Sequence, residues 1–115
     1  MRGRSGPEIL AEARDLVRSG WCRGADARDR GGAPVDAWSP GARSWSILGA
    51  VVAAADLPSD LGGARLGPLR QALGALAEVI EEPILMSWND DPDMTQAEVV
   101  QTLEEARLIC AERNP

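Results

Sequence analysis

Three features of this sequence predict a mainly α-helical domain: a compact set of four helices, with a short irregular or β-hairpin segment near residues 21–38. Apolar residues recur at helical spacing in four separate stretches, and capping residues or prolines stand where those stretches begin. The long stretch between the first and second of them instead carries glycines and charges of alternating sign.

The first helix is expected over residues 7–19. Ser5 and Glu8 have capping-box spacing, Pro7 suits a first turn, and Gly20 suits a left-handed position past the end. Ile9, Ala13 and Leu16 fall on one face, with Leu10 and Val17 beside them. In residues 21–44 no helical period survives, and Asp29-Arg30-Gly31-Gly32 reads as a tight turn joining two very short strands. Ser39-Pro40 is a cap followed by a first-turn proline, so a second helix is expected over 40–55 with Trp45, Leu48, Val52 and Ala55 as its stripe. A linker containing Pro58, Gly62 and Gly63 follows.

Leu66, Leu69, Leu73, Leu76 and Ile80 give the clearest amphipathic signal, predicting a third helix from about 66 or 68 to 81 that Pro83 ends. Ile84 to Trp88 is an apolar connection too short to assign. The fourth helix, 96–112, begins with a Thr95/Glu98 capping box and a Met94/Val99 staple, and buries Val99, Leu103, Ala106 and Cys110. A chain of 115 residues carries one core by default, so residues 1–115 are expected as a single domain, with 1–6 as a flexible arm.

Composition excludes more than it selects. The chain has no His, Lys, Tyr or Phe, and all 12 basic residues are Arg. Without His there is no Ser/His or Cys/His pair and no imidazole ligand; without Lys there is no Schiff base and no P-loop lysine. A formal charge of -6 argues against broad nucleic-acid binding, which needs a basic surface. No apolar run reaches the ~20 residues of a membrane span, and the basic start at Arg2 and Arg4 leads into charged, amphipathic sequence unlike a signal peptide. Cys22 and Cys110 lack CxxC spacing and are expected to be reduced. A cytoplasmic setting is therefore expected, and no cofactor or metal is implied.

Gly20-Trp21-Cys22-Arg23-Gly24, Ala27-Arg28-Asp29 before a glycine turn, Trp45-Ser46-Ile47-Leu48-Gly49-Ala50, and Trp88-Asn89-Asp90 leading into Thr95 stand in fixed order. In this the chain resembles, over nearly its whole length, a family of small proteins of unknown function from actinobacteria and their phages. The Asp91-Pro92-Asp93 stretch departs from that pattern, where a glycine is expected. The resemblance implies a bacterial cytoplasmic setting and a single domain, and it implies no activity.

Two loops hold the candidate site residues. Trp88, Asn89 and Asp90 open a run in which carboxylates and an amide sit beside a large aromatic, ahead of a helix whose amino-terminal dipole favours negative charge. Asp90 is the candidate general base or cation ligand, although nothing follows EF-hand spacing. The bland alternative is that Trp88 fills core while Asn89 and Asp90 bond turn amides. Trp21, Arg23, Asp26 and Arg28 form the second group, able to present Arg to a carboxylate or phosphate over an aromatic floor, or merely to pair ions within the loop. Cys22 next to Arg23 is a weak nucleophile candidate, for want of a base.

The leading expectation is a non-enzymatic helical protein-interaction or regulatory module, whose partner is another protein or a second copy. The alternative is a small enzyme or small-molecule binder using Asp90 with Arg23, Asp26 or Arg28 around a Trp-lined cleft. That alternative requires the Trp21 and Trp88 loops to meet, whereas an interaction module needs an exposed apolar patch.

Overall fold

The computed structural model describes residues 5–55 and 66–113, and within them the chain is mainly helical with a small three-stranded antiparallel sheet. The order is α1 (Gly6–Ser19), β1 (Ala27–Asp29), β2 (Pro34–Val35), β3 (Ala42–Trp45), α2 (Ile47–Ala55), α3 (Leu66–Val79), α4 (Leu85–Asn89) and α5 (Gln96–Arg113). Five helices thus occupy the described residues where the sequence predicts four, because the unassigned apolar connection forms the short α4. The linker with Pro58, Gly62 and Gly63 lies outside the described residues, as do residues 1–4 of the expected arm. The rest of that arm belongs to α1: Ser5 accepts from the Glu8 amide and Glu8 returns the bond, and Gly6 is buried.

α1 is the central element, packed on α5, α2 and α3. Ile9, Leu10, Ala13 and Val17 supply its buried face, which meets Val99, Leu103, Ala106 and Cys110 of α5 in one core. The two helices run antiparallel. Arg14 of α1 donates to Glu104 of α5 at 2.6 Å, and Gln96, at the start of α5, donates to the Val17 carbonyl at the end of α1 at 2.7 Å. That second bond satisfies a carbonyl the helix end leaves without an intrahelical donor. The Thr95 hydroxyl accepts from the Glu98 amide at 3.2 Å, and Met94 and Val99 are both buried at this start, so the cap and apolar pair expected there are in place.

The expected stripes of α2 and α3 are corrected by the packing. In α3, Ala72, Ala75 and Leu76 form the buried centre with Ile80 just beyond the helix, while Leu69 and Leu73 lie at its margin, half-buried. In α2 the buried line is Ile47, Val51 and Ala54, with Leu48 and Val52 half-buried. Small alanines at the centre let helix backbones approach closely, and the bulky leucines then fit only beside the contact. The Leu73 and Leu48 side chains are thereby left at the rim of the bundle.

The second correction is where α2 begins. Residues 42–45 form β3, pairing with β1 as Ala27↔Trp45, Arg28↔Ser44 and Asp29↔Ala42 across a register shift between Arg28 and Asp29. Ser39, read as a helix cap, instead accepts from the Gly41 amide within the turn that leads into β3. On its other edge β3 is bonded to residues 20–22, where the Cys22 amide donates to the Trp45 carbonyl and the Trp45 amide to the Gly20 carbonyl. Two-sided strand pairing outweighs the local cap signal. The expected hairpin is formed by β1 and β2, in the sheet order β2-β1-β3, and Asp29 closes its turn by accepting from the Gly31 and Ala33 amides.

Gly20 is extended, with φ -177, in place of the left-handed conformation expected; its lack of a side chain matters because a Cβ would lie 2.3 Å from the Arg43 carbonyl oxygen. A closer approach is made at Gly49, where a Cβ would fall 1.9 Å from the Asp26 carbonyl oxygen. That oxygen also accepts from the Ser46 amide at 3.0 Å, and the buried Ser46 hydroxyl accepts from the Gly49 amide at 3.0 Å, capping α2. The first turn of α2 is therefore seated on the loop before β1.

Two outcomes are expected from this packing. Gly49→Ala should destabilise the protein by about 1–3 kcal/mol in chemical denaturation despite the better helix propensity of alanine, whereas Gly74→Ala should stabilise it by up to ~1 kcal/mol. At Gly74 a Cβ meets nothing within 4 Å. Glu104 provides the second test. Hydrogen bonds from Arg107 and then Arg14 hold its carboxyl down at about 2, below the ordinary carboxylate range. A depressed folded-state value means that its stabilising contribution is present above the unfolded value near ~4.3 and is lost as pH falls through about 2. Glu104→Gln should accordingly lower the Tm by a few degrees at neutral pH, with the gap to wild type closing toward pH ~2.

Candidate functional site

The Trp21 and Trp88 loops meet, and what joins them is the side chain of Asn89. After α1 ends, residues 20–22 run beside β3 and bring the Trp21 ring against the core, while α4 ends by delivering Asn89 to the same place. The Asn89 side chain is fully buried. Its oxygen accepts from Trp21 Nε1 and from the Ile47 amide, both at 2.9 Å. Its nitrogen donates to the Cys22 carbonyl at 3.1 Å and to Asp90 Oδ1 at 3.0 Å. An amide side chain offers two acceptor sites and two donors, so every one is used. The loop after α1, the start of α2 and the end of α4 are tied through one group.

The neighbouring charges are committed as well. Asp90 Oδ1 also accepts from the Gly24 amide at 3.0 Å. The Arg23 guanidinium lies 4.5 Å from the centre of the Trp21 ring and donates to the Pro92 and Met94 carbonyls, clamping the first loop onto the second. Arg28 bonds the Arg23 carbonyl twice, at 3.2 and 3.0 Å, and the Gly32 carbonyl at 2.9 Å, which ties the β1–β2 turn to the same loop. Burial pushes the Cys22 thiol above its ordinary value, so the sulfur is held in the form that is a poor nucleophile.

Of the candidate residues, Trp21, Arg23, Arg28, Asn89 and Asp90 come together as this interlocked cluster. Trp88 packs against the hydrophobic core, half-buried. Asp26 stands apart: its carbonyl seats α2, and the residue lines an open cleft of about 660 Å³ with Gly24, Ala25, Pro34, Val35, Asp36 and Ser39. Trp21 and Trp88 are not among the residues lining this cleft, so it is not the Trp-lined one expected. Among the described residues no group of three or more Cys, Asp or Glu is placed to hold a metal ion, and no helix is long and apolar enough to cross a membrane.

A second concavity, about 510 Å³, was not foreseen. It lies between α2, α3 and α4, with Leu48, Leu73, Ile80, Leu85 and Met86 on its walls, and it is predominantly apolar. Glu81, Glu82, Pro83 and Ile84 form its rim, and Ile84 is 60 % exposed. The available signal was an isoleucine behind Glu-Glu-Pro, outside any amphipathic stripe that could bury it.

Fold and site together define a mainly helical domain with a small sheet, whose two signature loops are fastened by a buried amide. The chain belongs to the family of unknown function DUF6197, whose model matches residues 1–108. Comparisons with curated proteins and with solved structures gave no match.

The Asn89 cluster makes a pH-dependent prediction. Asn89→Asp keeps the shape but replaces the donor with an acceptor facing the Cys22 carbonyl and Asp90, and should lower stability by roughly 2–4 kcal/mol at neutral pH. A carboxyl buried beside another carboxylate has a raised folded-state pKa and can donate again when protonated, so part of the loss should be recovered as pH is lowered toward ~5. Urea denaturation of both proteins across that range, followed by Trp fluorescence, measures it. A loss below about 1 kcal/mol would show that the amide is not the fastening group.

Proposed function

We propose that this protein is a non-enzymatic helical interaction module, acting in a bacterial cytoplasm and docking another protein in the apolar groove between α2, α3 and α4. The observation that carries this reading is Ile84, a large apolar side chain 60 % exposed beside Leu48, Leu73, Leu85 and Met86. Isolated apolar residues on a surface are ordinary, but a concave set around an exposed isoleucine is the form a docking site takes. The engagement of Arg23, Arg28, Asn89 and Asp90 in bonds to the chain itself supports the same reading, because those groups are spent on holding two loops together. The cytoplasmic setting is supported by the cysteine content, two in 115 residues, which is far from the disulfide-dense pattern of small secreted domains.

Affinity purification from the native host with wild type, Ile84→Asp and Trp38→Ala tests the proposal. Trp38 is 51 % exposed and does not line the groove, so its variant reports on a different surface. A partner should be kept by wild type and Trp38→Ala and lost on Ile84→Asp, with the melting temperature of Ile84→Asp within a few degrees of wild type. An identical partner set for all three proteins would sink the proposal.

A further inference from the structure

The groove is charged on one side only. Glu81 and Glu82 are exposed on its rim, and no Arg is among the described residues that line it. Neither carboxylate is in an ion pair with a described residue, in contrast to Glu78 one turn earlier, which bonds Arg113 of α5 at 2.6 Å. Their position is electrostatically unfavourable for the free protein. Both follow the carboxyl end of α3, where the helix dipole and the last carbonyls already present negative charge and where cations are favoured. The stabilising choice there would be Arg, which the chain places in the last turn of α1 and of α5.

Resting on the docking reading above, we infer that the occupant of this groove is an apolar segment flanked by Lys or Arg, belonging to a different protein. Its apolar side chains fill the space beside Ile84, Leu73 and Leu48, while its cations meet Glu81, Glu82 and the end of α3. A second copy of the chain is the poorer fit. A two-fold contact presents the same patch from both sides, so Glu81 and Glu82 would face their own counterparts with no cation from the groove between them. The chain's -6 charge adds repulsion between copies and attraction for a basic partner.

The test is selection of a displayed library of random peptides against the full-length protein, followed by fluorescence anisotropy on the enriched peptides. They should combine apolar anchors with Lys or Arg, lose binding to Ile84→Asp, and bind the Glu81→Gln/Glu82→Gln double variant roughly fivefold to tenfold more weakly. Their affinity should fall with added salt less steeply for the double variant than for wild type. Ile84-dependent peptides that are neutral or acidic, or that bind the double variant as tightly as wild type, would overturn the basic partner and leave the docking groove standing. Absence of any Ile84-dependent peptide would overturn the groove itself. Sedimentation showing a dimer that Ile84→Asp dissolves would assign the surface to self-association instead.

Discussion

The arrangement of this domain depends on one buried amide. Asn89, itself fully buried, bonds an indole N–H, a backbone N–H and a backbone carbonyl, together with the Asp90 carboxylate. Leaving such groups unpaired would cost about 1–3 kcal/mol each. Only an amide presents both donors and acceptors in the required planar pattern; a leucine would fill the space and satisfy none of them. This positional constraint is therefore polar and sits at the edge of the core.

That constraint explains why the sheet exists at all. Three strands of two to four residues do not form a stable sheet alone, and this one has little core of its own. It is held by its attachments: Asn89 to the Cys22 carbonyl, Arg28 to the Arg23 and Gly32 carbonyls, and the seat of α2 on the Asp26 carbonyl. The glycine at 49 and the hydroxyl at 46 are part of the same device, since the helix can begin there only if the loop backbone can touch it. The helical core and the sheet are thus joined both by specific hydrogen bonds and by Trp21 and Trp45, which pack from the sheet side against the core.

How much of this was legible in the sequence follows from what each signal encodes. α1 and α5 were readable because their caps and periodic apolar faces are local, and Ser5, Glu8, Thr95 and Val99 act within one turn of chain. The start of α2 was misread because Ser39-Pro40 is an equally good local cap, and only pairing with residues 20–22 and 27–29 turns 42–45 into a strand. The α3 stripe was legible in part: Leu76 and Ile80 are buried and Leu69 and Leu73 pack against the core, while close helix packing adds the alanines at 72 and 75, which carry less hydrophobic weight. The Trp21 and Trp88 loops stand out in the sequence as two separate candidates, and the sequence leaves open whether they meet; that they do, and bond chiefly to each other, is set by contacts between distant residues. Whether an Arg faces a ligand or a carbonyl of its own chain is a property of long-range geometry.

The same packing rule that hid part of the α3 face produces the feature that bears on function. Because Ala72 and Ala75 take the centre of the α3 contacts, and Ile47, Val51 and Ala54 the buried line of α2, Leu48 and Leu73 are left at the rim, where α4 adds Leu85 and Met86 but does not cover them. A chain under pressure only for stability would be expected to place a polar residue at 84 and a cation after α3. It carries an exposed isoleucine there and two exposed glutamates in no ion pair with a described residue, while it satisfies nearly every polar group of the Asn89 cluster. The described side chains show no buried polar atom without a hydrogen-bond partner, so the protein tolerates little waste inside. Against that background the uncovered groove is the local departure that calls for an outside partner, and its apolar floor and acidic rim define the chemistry that partner must bring.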